Sequence, residues 1–405
     1  MLKPAGWPEA ERAARESYGR LVAYLAWQWR DLAAAEDALG EALLSALTHW
    51  PQTGVPASPD AWLLTAARRQ LLMQHRHERL AQSPEVQALL DAEPTAPEAP
   101  ALPDRRLELL FTCAHPALAS AMHAPLMLQA VLGLDARSIA RAFLVSPSAM
   151  AQRLVRAKAR IREAGLRLQT PEASELPARL AAVLEGIYGA YTIGSDLASP
   201  APEAEPELRD EALFLARLVA QLQGSAEALG LKALLLYCQA RRPAQFNAHG
   251  DFVPLTEQDT ALWDQALMHE AENCLWQAAR QRTPGPMQLE AAIQSAHCHR
   301  AYTGQTPWGQ IAQLYGALVA YHPSVGAQIG FAVALAESGE VQRGLDALGA
   351  LAAETVTSHQ PYWVATAHLQ RLAGQVEAAD AALQRALGLT ADERVRRFLS
   401  ASARR

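Results

Sequence analysis

Apolar side chains recur at helical spacing along most of the chain, while the alternating pattern of a half-buried strand is absent. Residues 12–30 and 32–50 predict two helices that pack as a hairpin. The second helix has an apolar stripe formed by Leu39, Leu43, Ala46, Leu47 and Trp50. A proline- and glycine-rich break, Pro51–Pro59, then precedes a third predicted helix, Asp60–Arg79, whose first turn Asp60 is placed to cap. These elements predict a helical domain over residues 1–80.

The character of the chain changes at Leu80–Asp104, which contains five prolines, five acidic residues and no Lys or Arg. Such a composition predicts a linker over 81–104, with one short helix near Pro84–Asp91. A second helical domain follows over 105–168. The remaining residues, 169–405, are rich in alanine and leucine and are interrupted at Ser199–Pro206 and at Arg242–Pro254.

An internal period of 35 residues separates Gly304, Gly339 and Gly374. The last two lie in AESGEVQRGLDAL and RLAGQVEAADAAL, each a predicted helix, a glycine turn and a second helix. Tetratricopeptide repeats have nearly this period, because each helical hairpin buries its apolar face only against its neighbours. We therefore predict that 169–405 is a tetratricopeptide-like helical-repeat extension, with the period visible over about 290–390 and the repeats extended by analogy to 175–290, and the fold class as a whole is all-α.

Charge is divided unevenly along the chain, whose formal net charge is −6. Residues 1–168 carry 19 Lys and Arg against 17 Asp and Glu, whereas the remainder carries 17 against 25. A local excess of positive charge is what binding to phosphate requires, and a separate acidic region does not remove it.

Several classes of function are excluded by the residues. No nucleotide-binding loop, hydrolase elbow or zinc-protease motif occurs, so we expect no enzyme, no catalytic residue and no cofactor. The four cysteines are far apart and predict reduced, mostly buried thiols. His297 and His299 point about 200° apart on a helix, which argues against a shared metal. Without an export signal or a long apolar run, we expect a cytoplasmic protein with no membrane partner.

The segment Asp135–Arg162 predicts a helix-turn-helix. Ala140 is the small residue where the helices cross, and Ser146 and Pro147 begin the second helix as its N-cap and first residue. The buried positions should be Ile139, Phe143, Val145, Met150 and Leu154.

Seven basic residues and no acidic residue lie between Ala136 and Arg162. A run of one sign favours phosphate contact over an ordinary solvated face, although arginine-rich helix ends also occur without nucleic acid. Positions that should approach base edges in the major groove are Ser148, Ala151, Gln152 and Arg156. Positions that should contribute to phosphate binding are Arg137, Arg141, Arg153, Lys158 and Arg160.

Three stretches resemble extracytoplasmic-function sigma factors of RNA polymerase, in the group with a long C-terminal extension: AEDALGEALLSALTHWP (35–51), AWLLTAARRQLL (61–72) and ARAFLVSPSAMAQRLVRAKARIR (140–162). The resemblance implies sigma region 2 in 1–80 and sigma region 4, which binds the minus-thirty-five element, in 105–168. Its partners would be promoter DNA and the β′ and β subunits of core polymerase. Glu36, Asp37 and Glu41 would then contact a coiled coil of β′.

The same resemblance implies that the loop Pro51–Pro59 and the third helix engage the minus-ten element, through Trp62, Arg68, Arg69 and Arg76. Gly40 stands where the family usually has glutamine, and Arg69-Gln70 and Met73 also depart from its pattern. The region 169–405 resembles the family's regulatory extension, which would bind a protein or a small ligand. Two other readings remain: a helix-turn-helix regulator without polymerase docking, and a helical-repeat scaffold for protein interaction.

Overall fold

A computed structural model describes residues 7–79, 103–143, 145–195, 208–390 and 393–402. Within these ranges the chain is helical and contains no β-strand, only an isolated bridge between Phe246 and Phe252. The all-α prediction is therefore confirmed. Most of the predicted linker at 81–104, including the short helix near Pro84–Asp91, lies outside the described residues, as does the interruption at Ser199–Pro206.

The chain divides into two compact units: residues 1–194 with 203–212, and residues 195–202 with 213–405. The first unit contains both predicted N-terminal domains and continues beyond 168. Its helices are α1 (Trp7–Trp29), α2 (Leu32–Thr53), α3 (Pro59–Arg79), α4 (Arg106–Cys113), α5 (His123–Leu132), α6 (Ala136–Ala142), α7 (Pro147–Glu163) and α8 (Leu176–Ser195).

The first three helices pack on one another, and α1 also packs on α4 and α5. Gly19 makes the close approach between α1 and α5 feasible, because a Cβ at this position would lie 2.1 Å from the carbonyl oxygen of Val131. The helices of the predicted region 2 and of the following segment thus share one core. This core includes Leu21 and Leu25 from α1 and Met127 from α5, all fully buried.

The boundary between the two units falls within helix α9 (Leu208–Gln223), after residue 212. The later helices are α10 (Ala226–Ala240), α11 (Gln265–Arg280), α12 (Pro286–Cys298), α13 (Arg300–Thr303), α14 (Trp308–Tyr321), α15 (Val325–Glu337), α16 (Val341–Gly349), α17 (Ala353–Val356), α18 (Gln360–Leu372), α19 (Val376–Leu389) and α20 (Glu393–Ser402). Local sequence fixes several of their starts. Ser225, Asp264 and Ser324 accept hydrogen bonds from backbone N–H groups in the first turns of α10, α11 and α15.

Helices α12 to α20 pack mainly on their neighbours in sequence, around three successive apolar clusters. Gly304, Gly339 and Gly374 each follow a helix and adopt positive φ, at 72°, 99° and 75°. The 35-residue period therefore corresponds to three turns in which the glycine has a positive φ, a conformation that glycine adopts without steric cost.

Arg300 holds the segment between α10 and α11, which has only three short 3-10 helices (Arg242–Ala244, Leu255–Glu257 and Thr260–Leu262) and includes the predicted interruption Arg242–Pro254. Its guanidinium donates to the carbonyl oxygens of Leu255 and Gln258, at 2.9 and 2.8 Å, and lies over the ring of Trp263. Trp263 is buried and donates its indole N–H to the Gln258 side chain. The segment is thus held by the buried ring of Trp263 and the guanidinium of Arg300.

Among the described helices, none is long and apolar enough to cross a membrane.

Candidate nucleic-acid interface

The turn between α6 and α7 is built from local hydrogen bonds. Asp135 accepts the backbone N–H groups of Arg137 and Ser138, at 2.8 and 2.9 Å, and so begins α6. The Ser146 hydroxyl accepts the N–H of Ala149 and caps α7, and Pro147 is the first helical residue, as predicted.

Some of the apolar residues predicted to be buried where these two helices cross are buried there, and two are not. Ala140 is fully buried, and Ile139, Met150 and Leu154 are about 1% exposed. Phe143 and Val145, which were also expected to be buried, are only half-buried. Both residues lie in the turn between α6 and α7, outside the helical segments that pack at the crossing, so their side chains are covered only in part.

The outer face of α7 carries one sign of charge. Arg153, Arg156 and Arg160 are exposed and follow one another at helical spacing, so they share one side of the helix. Ser148 and Gln152 are exposed nearby and Ala151 is half-buried. Arg137 is exposed on α6, and the side chain of Arg141 lies outside the described part.

Lys158 does not belong to this outer face. Its ammonium lies 2.6 Å from Oε2 of Glu36 on α2, and the two side chains are only 14% and 8% exposed. Next to this pair, Arg162 lies 3.6 Å from Asp31, which caps the start of α2. The structure therefore joins a residue expected to bind phosphate to one expected to bind polymerase.

Burial sets the electrostatics around Glu36. It raises the pKa of the Glu36 carboxyl, and the Lys158 ammonium opposes that rise. Burial raises the pKa of the Tyr18 hydroxyl and the Cys113 thiol as well, and the Glu36 charge adds to both shifts. The second oxygen of Glu36, Oε1, is buried without a hydrogen-bond partner among the described residues. Lys158 is thus the principal compensation for this charge.

The other two residues expected to dock polymerase lie differently. Asp37 and Glu41 are exposed on α2, one helical turn apart. Gly40 lies between them and is half-buried, and a Cβ added there would have no atom within 4 Å. Of the three carboxylates predicted to dock polymerase, α2 therefore exposes Asp37 and Glu41 in this conformation but not Glu36.

Two residues of α3 predicted for minus-ten recognition, Arg68 and Trp62, contact side chains of α1 and α2. Arg68 donates to the Tyr24 hydroxyl at 2.9 Å and lies over the same ring. Trp62 is half-buried and meets Trp50 edge to face, with ring centroids 5.6 Å apart. Arg69 is half-buried, and the side chain of Arg76 lies outside the described part. Trp62 is therefore positioned by the α2–α3 packing.

A polar cavity of about 470 Å³ lies beside the start of α3. It is lined by Ser17, Arg20, Ala57, Ser58, Pro59, Asp60 and Arg106. Asp60 does not cap α3 as predicted: its carboxylate accepts from the Ser17 hydroxyl, at 2.5 Å, and from the Arg20 guanidinium. A cap serves only its own helix, whereas this contact ties α3 to α1. No periodic pattern points to Ser17 or Arg20, and only the packing of the two helices identifies them.

The remaining polar clusters do not form a metal centre within the described ranges, where no three His, Cys, Asp or Glu side chains are arranged to hold an ion. The cysteines are reduced, and Cys113, Cys274 and Cys298 are buried. His297 is half-buried and meets Trp308 edge to face, whereas His299 is exposed.

Two parts of the chain match known protein families. Residues 15–80 match sigma-70 region 2, and residues 179–279 match a family of unknown function, DUF6596. The chain is also similar to the uncharacterized protein R00370 of Rhizobium meliloti (strain 1021). The two are 37% identical over 349 residues, which covers 83% of this chain and 81% of that protein. No solved structure matches the chain. The region 2 match includes α2 and α3 and supports a role in transcription initiation.

Proposed function

Because the chain belongs to the same family as the Rhizobium meliloti protein and carries sigma-70 region 2 at its N-terminus, we propose that it is an RNA polymerase sigma factor of the extracytoplasmic-function type. In this role it directs promoter-specific initiation in the cytoplasm and performs no catalytic step of its own. The match of region 2 to residues 15–80 carries the proposal.

In this proposal α7 binds the minus-thirty-five element in the major groove. Arg153 and Arg160, with Arg137 on α6, are exposed for contact with phosphates, while Gln152 and Arg156 are placed to approach base edges. Val155 is 63% exposed on the same helix and was not identified from the sequence. An exposed apolar side chain at this position suits contact with a thymine methyl group.

The first part of the unit would bind polymerase and the minus-ten element. Asp37 and Glu41 supply exposed carboxylates for the β′ coiled coil, and the β subunit completes the holoenzyme. Strand opening exposes bases that a protein captures in a pocket, and the cavity at Ser17, Arg20 and Asp60 lies beside the loop that the resemblance assigns to this task. Arg68 is held by Tyr24, so its contribution to DNA binding requires that contact to rearrange.

The C-terminal unit would regulate the factor as a tetratricopeptide-like array. Successive helices that pack mainly on their neighbours, with glycine turns 35 residues apart, support this interpretation. Such arrays offer extended surfaces to a protein or a small ligand. The alternatives are a regulator that binds duplex DNA without polymerase, and a scaffold that binds neither.

Binding to core polymerase tests the docking part of the proposal. The full chain should co-elute with core enzyme in gel filtration, and the variant Asp37→Lys with Glu41→Lys should lose co-elution because it reverses both exposed charges. The matched control is Glu354→Lys with Glu377→Lys, two exposed glutamates in the C-terminal unit. Co-elution that is equal in both variants would assign polymerase binding to another surface, and no co-elution of the native chain would favour the regulator or the scaffold.

A further inference from the structure

A second cavity, of about 250 Å³, lies within the C-terminal unit where α10, α11, α12 and α13 meet. It is lined by Tyr237, Met268, His269, Glu272, Ser295, Cys298, His299 and Tyr302. The cavity has a buried floor, since Tyr237, Cys298 and Met268 are 1%, 2% and 3% exposed. Its rim is open, because His269, His299 and Tyr302 are exposed. A small molecule can therefore enter from solvent and reach a closed end.

Glu272 is held in a fixed orientation in the wall of this cavity. The Tyr237 hydroxyl donates to its Oε2 at 2.6 Å, and the Ser295 hydroxyl donates to the same oxygen at 3.1 Å. Burial and the Glu272 carboxylate raise the pKa of Tyr237, so its hydroxyl remains a donor at any physiological pH. The contacts formed within the described residues thus engage Oε2 and leave Oε1 for a ligand.

The charge of the lining selects the ligand. None of the described residues that line the cavity is Lys or Arg, and Glu272 is its only carboxylate. The guanidinium of Arg241 contacts Cys298 from outside the lining and is bound to the Gln294 side chain. Glu272 is half-buried and no Lys or Arg of the described lining pairs with its carboxylate, so a positively charged group entering the cavity gains both charge pairing and hydrogen bonds.

The shape and donor set favour an organic cation over a metal ion. His269, Glu272, Cys298 and His299 are ligand types for metals, but no three such side chains in the described part of the chain are arranged to hold one. Tyr302 at the rim is 61% exposed, and its aromatic ring is of the kind that binds an ammonium or guanidinium group. The cavity is smaller than sites for drug-sized ligands, which fits a small metabolite.

We propose that this cavity binds a small ammonium or guanidinium compound, whose charged group pairs with Glu272 while its chain passes the rim at Tyr302. The site gives the C-terminal unit a ligand of defined chemistry. Binding at this site stands apart from the proposed role in initiation, since it is measured without polymerase or DNA.

The test is isothermal titration calorimetry on the full chain with agmatine and putrescine, and with uncharged 1,4-butanediol as the matched probe. We expect saturable binding of agmatine or putrescine at one site per chain and none of the diol. Glu272→Gln should weaken that binding at least tenfold, and Glu257→Gln, which alters an exposed glutamate outside the cavity, should leave it unchanged. The control accounts for general attraction of cations to an acidic protein.

The glutamine variant keeps an acceptor for Tyr237 and Ser295, so it should fold, and circular dichroism checks this. Tyr302→Leu, at the exposed rim, provides a second variant and should weaken binding about two- to fivefold. The proposal is overturned if neither cation binds saturably, if the diol binds equally well, or if Glu272→Gln binds as the native chain does. Failure here leaves promoter-specific initiation as a separate question, because the site and the DNA-binding helices are tested by different assays.

Discussion

The ammonium of Lys158 lies 2.6 Å from the carboxylate of Glu36, although the two residues are 122 positions apart in the chain. One belongs to the helix expected to read duplex DNA, and the other to the helix expected to dock on polymerase. Both are largely shielded from water, at 14% and 8% exposure. In this conformation α2 and α7 cover each other's charged groups, so binding of polymerase through Glu36 requires the two helices to separate.

Removal of Lys158 should loosen this contact strongly. Lys158→Met leaves the Glu36 charge buried without a partner, a change that costs about 3–5 kcal/mol. Hydrogen–deuterium exchange of the full chain should therefore become at least tenfold faster in α2 and α7. The double variant Glu36→Lys with Lys158→Glu restores opposite charges and should recover most of the protection. Unchanged exchange in Lys158→Met would show that the pair does not hold the helices together.

Gly40 and Gly19 should respond to alanine in opposite directions. A Cβ at Gly40 meets open space in the middle of α2, so Gly40→Ala should raise stability by about 1 kcal/mol. A Cβ at Gly19 would lie 2.1 Å from the Val131 carbonyl oxygen, so Gly19→Ala should force α1 and α5 apart. Thermal denaturation of the full chain measures both. A lower midpoint for Gly40→Ala would contradict the described packing of α2.

Arg156 should contribute to sequence recognition if it reaches a base edge. Arg156→Ala is then expected to weaken binding to the cognate minus-thirty-five duplex by about 1–3 kcal/mol and to relax preference at one position. Arg280→Ala, at the exposed end of α11, is the matched control and should not change DNA binding. Fluorescence anisotropy with cognate and scrambled duplexes separates the outcomes, since an equal loss on both would make Arg156 a phosphate contact.

His297 should make the C-terminal unit less stable at acid pH. Burial, with the nearby Arg241 and Arg300, lowers its pKa from 6.5 to about 4. The unfolded chain therefore takes up a proton below pH 6.5 while the folded chain does not. This stabilisation is fully present above pH 6.5 and is lost as the pH falls towards 4. The full effect is on the order of 3 kcal/mol, of which about 2 kcal/mol is lost between pH 7.5 and pH 5.

The measurement for His297 is urea denaturation at pH 7.5 and at pH 5, with His297→Phe as the comparison. The phenylalanine keeps a ring against Trp308 but cannot titrate, so its stability should change less between the two conditions. An equal change in both proteins would assign the pH dependence to other groups.

Local features of the sequence predicted much of the fold. The Ser146 cap, the Pro147 start and the burial of Met150 and Leu154 depend on residues within one or two helical turns, and each was correct. Asp60 shows the limit of such reasoning. It has the chemistry of a cap, but its partners Ser17 and Arg20 come from another helix.

The candidate sites depend on such distant pairs. Neither the Glu36–Lys158 contact nor the grouping of Tyr237, Glu272 and Ser295 follows from a periodic pattern, because each joins side chains of different helices. The roles predicted for individual residues at DNA and polymerase stay predictions. The packing shows which of these predicted residues are exposed in this conformation and which are covered by other side chains.

Promoter-specific initiation by this chain is measured by run-off transcription on fragmented genomic DNA from the source organism, with core polymerase and the purified full chain, followed by sequencing of transcript 5′ ends. A sigma factor should produce start sites that require the protein and share common elements near minus ten and minus thirty-five. Transcripts identical with and without the protein would contradict it.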